Sequence, residues 1–103
     1  MKANFDNLVN SEIPVLADFS AEWCGPCKVQ SPILKELAGE LENRIKIIKI
    51  DVDKNPEIAM RYSVQGVPTL MLFKNGQVRF RHSGLISKSQ LHNAIKKTLN
   101  STS

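Results

Sequence analysis

Apolar and polar residues along this chain follow two rhythms. The runs Val15 to Ser20, Ile45 to Val52, Thr69 to Phe73 and Val78 to Ser83 have the length and β-branched content of strands. Between the first two, Val29, Ile33, Leu34, Leu37, Ala38 and Leu41 recur at helical spacing and predict a helix from Cys24 to about Leu41. Pro32 lies inside that helix, where its missing N–H should kink the rod. Near the start, Phe5, Leu8 and Val9 predict a short helix capped by Asn4 and running to about Asn10. The Ile45 to Val52 run carries Lys49 and reads as a central strand covered on both faces, whereas Val15 to Ser20 is a buried strand interrupted only by Asp18.

Turn residues divide these runs. Pro14 ends the first helix, and Asn55-Pro56 opens a short one reaching about Tyr62. Gly66-Val67-Pro68 leads into the third strand, and Asn75-Gly76 predicts a hairpin that returns the fourth strand antiparallel. Ser87 with Gln90 forms a capping box for a last helix carried by Leu91, Ile95 and Leu99, beyond which the tail from Asn100 should fray. Tyr62, Phe73, Phe80, Met60 and Met71 read as core. A β-α-β half followed by a β-β-α half predicts one α/β domain over residues 1–103, its mixed central sheet flanked by helices on both faces. The carboxyl edge of the sheet, where such folds place their sites, is where the Val15 strand ends.

Composition narrows the function. A length of 103 residues allows one modest core, and 42% hydrophobic with 23% charged residues is ordinary for a soluble protein. The longest apolar run, Val67 to Phe73, is strand-sized and contains a proline, so no membrane association is expected. Met1 to Asp6 lacks the apolar core of a signal peptide, which makes a cytoplasmic location the expectation. The formal charge of +4 comes from lysines and arginines scattered among acids, a distribution that argues against nucleic acid and for a mild preference for acidic partner proteins.

The chemistry concentrates at Trp23-Cys24-Gly25-Pro26-Cys27-Lys28, which holds both cysteines. On a helix starting at Cys24 the two sulfurs share one face of the first turn, within disulfide reach. The unpaired N–H groups and positive dipole end there favour a thiolate at Cys24, the nucleophilic form. Pro26 stiffens the intervening loop at no hydrogen-bonding cost, and Gly25 leaves the backbone open to a partner. A structural disulfide across so short a loop would constrain the unfolded chain little. A zinc site would need two more ligands, and His82 and His92 are spaced too widely for the usual pair. Redox chemistry is the better reading.

The motif and the order of elements together closely resemble the thioredoxin family. The match runs through Ala21-Glu22-Trp23-Cys24-Gly25-Pro26-Cys27-Lys28, Asp51-Val52-Asp53-Lys54-Asn55-Pro56, Gly66-Val67-Pro68-Thr69-Leu70, Phe73-Lys74-Asn75-Gly76 and Gly84. The resemblance implies the thioredoxin fold, with a sheet of four to five strands, and a protein-disulfide reductase acting in cell redox homeostasis. Cys24, exposed, would attack a target disulfide, and the more buried Cys27 would release the target and leave a Cys24–Cys27 disulfide. It also implies disulfide-containing target proteins as partners and re-reduction by a thioredoxin reductase. The chain would act as a monomer with no bound cofactor, NADPH being used only through the reductase.

The same resemblance assigns supporting roles. Asp18, raised in pKa by burial, would take a proton from Cys27; the competing reading is a structural pair with Lys49. Pro68 would be cis, freeing the Val67 backbone to pair with an extended target. Trp23 would form a platform beside the sulfurs, and Gly66 and Gly84 would leave room for the bound chain, although Gly84 alone could be a turn residue. Gly25, Pro26 and Lys49 would tune the redox pair. Two departures stand out. Ser20 replaces the usual aromatic, commonly tryptophan, and the N-terminus leaves at most Met1 to Ala3 for a first edge strand. The other readings of the motif are a thiol oxidase or isomerase, which would usually carry histidine between the cysteines, and a binding subunit that uses the groove without turnover.

Overall fold

A computed structural model describes residues 2–101 of the chain, with Lys2 and Ala3 described by backbone alone. The elements follow in the order α1 (Lys2–Val9), β1 (Val15–Ser20), α2 (Gly25–Leu41), β2 (Lys46–Asp51), α3 (Pro56–Arg61), β3 (Thr69–Lys74), β4 (Gln77–Ser83) and α4 (Lys88–Leu99). Among the described residues the sheet has the order β2-β1-β3-β4, with β1 parallel to β2 and antiparallel to β3, and β3 antiparallel to β4. The mixed sheet is therefore as expected.

Alternation along β1 and β3 divides the core between two faces. Leu16, Leu70 and Leu72 pack with Leu34, Leu37 and Leu41 of α2 and Leu91 and Ile95 of α4. Val15, Ala17, Phe19, Met71 and Phe73 pack on the other face with Phe5 and Val9 of α1 and Ile58 of α3. Because Asp18 and Ser20 share the register of Leu16, the same pleat turns them toward α2. Asn75 and Gly76 adopt left-handed φ angles of 52° and 78°, the geometry of the predicted hairpin. Ser87 and Gln90 complete the capping box of α4.

Four expectations are corrected. Lys2 and Ala3 already belong to α1, so they form no strand and Asn4 is no cap; Met1 lies outside the described residues. Among the described residues no strand lies beyond β2, which is an edge and not a central strand, and Lys46 and Lys49 are exposed on it, as suits an edge that must not pair with other chains. Val29 is exposed, because it sits one position off the stripe that faces the sheet. Met60 is 78% exposed on the outer side of α3, while Tyr62 and Met71 do pack inward.

The end of α3 is held by a residue far away in sequence. Arg81 of β4 donates through Nη1 to the carbonyl of Tyr62 and through Nη2 to that of Ser63, the latter at 2.9 Å, while Ser63 itself takes a left-handed φ of 55°. A guanidinium at a helix carboxyl end satisfies orphan carbonyls and the negative end of the dipole together. Arg81→Ala is expected to lower stability by about 1 kcal/mol, with Arg81→Lys recovering only part because an ammonium cannot fork. An unchanged midpoint in urea denaturation of Arg81→Ala would show that the clamp contributes nothing.

Candidate active site

β1 delivers the chain to the carboxyl edge of the sheet, where Cys24 N–H donates to Ala21 O at 3.2 Å and closes a turn before α2. Cys24 is the N-cap of α2. Its backbone is extended, and its Sγ accepts the Cys27 N–H at 3.1 Å, the role usually taken by a side-chain oxygen. Pro26 in the first turn has no N–H to leave unsatisfied. Cys24 and Cys27 are disulfide-bonded, with Cα atoms 5.3 Å apart. Once reduced, Cys24 would present its sulfur to an amide donor at a positive helix end, so negative charge there is favoured.

Exposure does not distinguish the sulfurs as expected. Cys24 is 3% and Cys27 4% exposed, because the pair turns inward against Ala21, Val52 and Val67. What differs is their surroundings. Cys24 Sγ lies 3.6 Å from the carbonyl oxygen of Val67, whereas Cys27 lines an open groove of about 860 Å³ whose walls include Asp18, Ser31, Leu34, Ile47 and Lys49.

The Val67–Pro68 peptide is cis. Thr69 fixes the approach to it by donating its hydroxyl to Gly66 O at 2.6 Å, and Gly84 N–H donates to Pro68 O at 2.8 Å. No hydrogen bond from the Val67 N–H forms among the described residues. Gly84 has a φ of 92°, which disfavours any side chain, and a Cβ added at Gly84 or Gly66 would meet no atom within 4 Å. Gly84 is thus both a turn residue and an open surface.

Trp23 is 71% exposed, and its Nε1 donates to Asp53 Oδ2 at 2.8 Å, which ties the indole to the loop after β2. Asp53 sits in a loop shaped by Asp51, whose Oδ1 accepts the N–H groups of Asp53 and Lys54 at 2.9 and 3.1 Å.

Asp18 is 2% exposed, and its Oδ1 has no hydrogen-bond partner. It neighbours Lys49 across the parallel β1–β2 pair. Burial pushes its carboxyl up from 3.8 to about 6, partly opposed by the positive charge of Lys49. The competing pairing does not form as a contact, since Lys49 Nζ reaches Ser31 Oγ at 3.4 Å and no ion pair joins it to Asp18 among the described residues. Ser20, in place of the usual aromatic, is buried on the same face.

Three residues of this region went unassigned from the sequence. Asp53 and Thr69 stand within the matched runs, so their position beside Trp23 and Pro68 was available as a signal. Gln30 had none, being a polar residue in the middle of a helix, yet it is fully buried. Among the described residues no group of three or more His, Cys, Asp and Glu side chains is arranged to hold a metal ion, and no helix is long and apolar enough to cross a membrane.

A dithiol at a helix N-terminus, beside a cis-proline turn at the sheet edge, defines a protein of dithiol–disulfide exchange. A family model described as Thioredoxin matches residues 1–97. The chain is 43% identical over 100 residues to thioredoxin 1 of Chlorobaculum tepidum, covering 96% of this chain and 99% of that one. It is 47% identical over 96 residues to a thioredoxin of Haemophilus influenzae, covering 92% and 90%. The fold superposes on mitochondrial thioredoxin 3 of Saccharomyces cerevisiae in its oxidized form with a TM-score of 0.84 at 34% identity, covering 93% of this chain and 89% of that one. The chain belongs to the thioredoxin family.

Proposed function

We propose that this protein is a general cytoplasmic protein-disulfide reductase that serves cell redox homeostasis. The observation that carries the reading is the placement of Cys24 Sγ between the Cys27 N–H and the Val67 carbonyl, next to the unengaged Val67 N–H. An extended target segment would pair with the Val67 backbone, Trp23, Gly66, Pro68 and Gly84 flanking it. The Cys24 thiolate attacks one sulfur of the target disulfide, forming the Cys24–target bond and expelling the other target sulfur as a thiolate. Asp18 then takes the proton of the Cys27 thiol through the shared groove. The Cys27 thiolate attacks Cys24 Sγ, the second target thiolate leaves, and the two electrons have passed from the protein dithiol to the target. Gly25, Pro26 and Lys49 act on this pair through loop stiffness and charge.

The resulting disulfide is returned to the dithiol by a thioredoxin reductase drawing on NADPH, so the monomer needs no bound cofactor of its own. Equilibrating the dithiol with a glutathione or NADPH-coupled redox buffer tests the direction of transfer. The expected midpoint is more reducing than the cytosolic glutathione poise, alongside turnover of insulin disulfides. A midpoint well above that poise would make the protein an oxidant or isomerase. Biological function retained by the Cys24→Ser, Cys27→Ser double variant would instead identify a binding subunit.

A further inference from the structure

Gln30 lies on α2 one turn beyond Cys27 and is completely buried. Its Nε2 donates to Ile86 O at 3.1 Å, and its Oε1 accepts the Ile86 N–H at 3.0 Å. One side chain thus satisfies both backbone groups of a residue that belongs to no helix or strand. Ile86 is itself buried among Leu34, Leu37 and Leu91, so no solvent would replace those bonds.

The segment that Gln30 holds is the one that runs from the site to α4. Two residues before Ile86, Gly84 N–H donates to Pro68 O, and between them Leu85 is exposed while its carbonyl lies 3.2 Å from His82 Nε2. A closed circuit results: Cys24 to the Val67 carbonyl, Pro68 to Gly84, Ile86 to Gln30, and Gln30 back along α2 to Cys27. α2 carries the sulfurs, and the Gly84–Ile86 segment is joined to Pro68 through the Gly84 N–H. Among the described residues Gln30 makes the only side-chain hydrogen bonds that join α2 to this segment.

We propose that Gln30 is a positioning residue for target recognition, which fixes the Gly84–Ile86 segment beside Pro68 against the helix that bears the cysteines. Given the reductase reading above, its loss should weaken the grip on a protein target while the sulfur chemistry stays intact. Gln30→Met and Gln30→Leu remove both hydrogen bonds at similar volume. With insulin as substrate, each is expected to raise KM about five- to tenfold, the factor that about 1–1.4 kcal/mol of lost hydrogen bonding carries, with kcat within about twofold. Their dithiols should react with a small aromatic disulfide, which offers no extended chain to pair beside Pro68, at the wild-type rate. In the folded wild type the Ile86 amide should be protected from hydrogen exchange, and in both variants that protection should be lost.

An unchanged KM in either folded variant would overturn the assignment. So would an equal loss with insulin and with the small disulfide, which would place the effect in the cysteines. Should both variants fail to fold, fast exchange of Ile86 in the wild type would overturn it and strong protection would support it. Failure of the wild type to reduce either disulfide would remove the reductase reading, while the exchange measurement would still report on the clamp.

Discussion

Cys27→Ser is expected to turn the protein from a reductant into a trap. The donor that caps Cys24 is the backbone N–H of residue 27, at 3.1 Å from Sγ, and a serine there keeps it. The helix end, the Val67 carbonyl 3.6 Å away and the Trp23–Asp53 hydrogen bond are likewise untouched. Cys24 should therefore still attack a target disulfide and expel one target thiolate. The second step then lacks its nucleophile, because a serine hydroxyl at neutral pH does not displace a thiolate from sulfur. Turnover of insulin should fall on the order of 10³-fold or more, while a covalent Cys24–target adduct accumulates on a non-reducing gel and dissolves in excess thiol. Cys24→Ser should lose turnover to the same extent and form no adduct. Two sulfurs that are 3% and 4% exposed should thus differ in chemistry. Equal adduct yields from the two variants would remove the distinct roles, and sustained turnover by Cys27→Ser would remove the second step.

Much of the scaffold around these sulfurs was legible because its causes are local. The Asn75-Gly76 hairpin, the Ser87–Gln90 capping box and the N-terminal placement of Cys24 on α2 each depend on a few consecutive residues whose φ preferences and hydrogen-bonding groups decide the outcome. The cis peptide before Pro68 was legible only through family resemblance, since sequence alone leaves X–Pro bonds mostly trans. What failed depends on neighbours that no local pattern names. β2 has the composition of a central strand, yet among the described residues it lies at the edge, and Lys2 and Ala3 belong to α1. Met60 and Val29 are apolar, and only packing determines that they face outward. Gln30 and Arg81 hold carbonyls and amides of segments that lie distant in sequence, so their partners appear only once the chain is folded.

Asp18→Asn is expected to stabilise the fold and slow the reaction, each in a pH window that the wild-type carboxyl sets. In the folded protein burial raises that carboxyl from 3.8 to about 6, so over this interval the native state keeps a proton that the unfolded chain has released. Stability must fall as pH rises through the window and level off above about pH 6 to 7. The displacement corresponds to about 3 kcal/mol lost at neutral pH. Asparagine cannot ionise, but its buried amide has a desolvation cost of its own where Oδ1 already lacks a partner. The variant should thus gain about 1–3 kcal/mol at pH 8 and little at pH 4, read from urea denaturation at the two values. Its turnover should drop roughly ten- to a hundredfold at neutral pH, because the Cys27 proton has lost its acceptor, and the rise in wild-type rate centred near pH 6 should be absent. The two effects come from a single charge held in an apolar groove, which costs stability when ionised and is useful for the same reason. A variant that melts earlier than wild type at pH 8 would show that Asp18 is a structural partner of Lys49. One that reduces insulin at the wild-type rate across this range would show that Cys27 sheds its proton without Asp18.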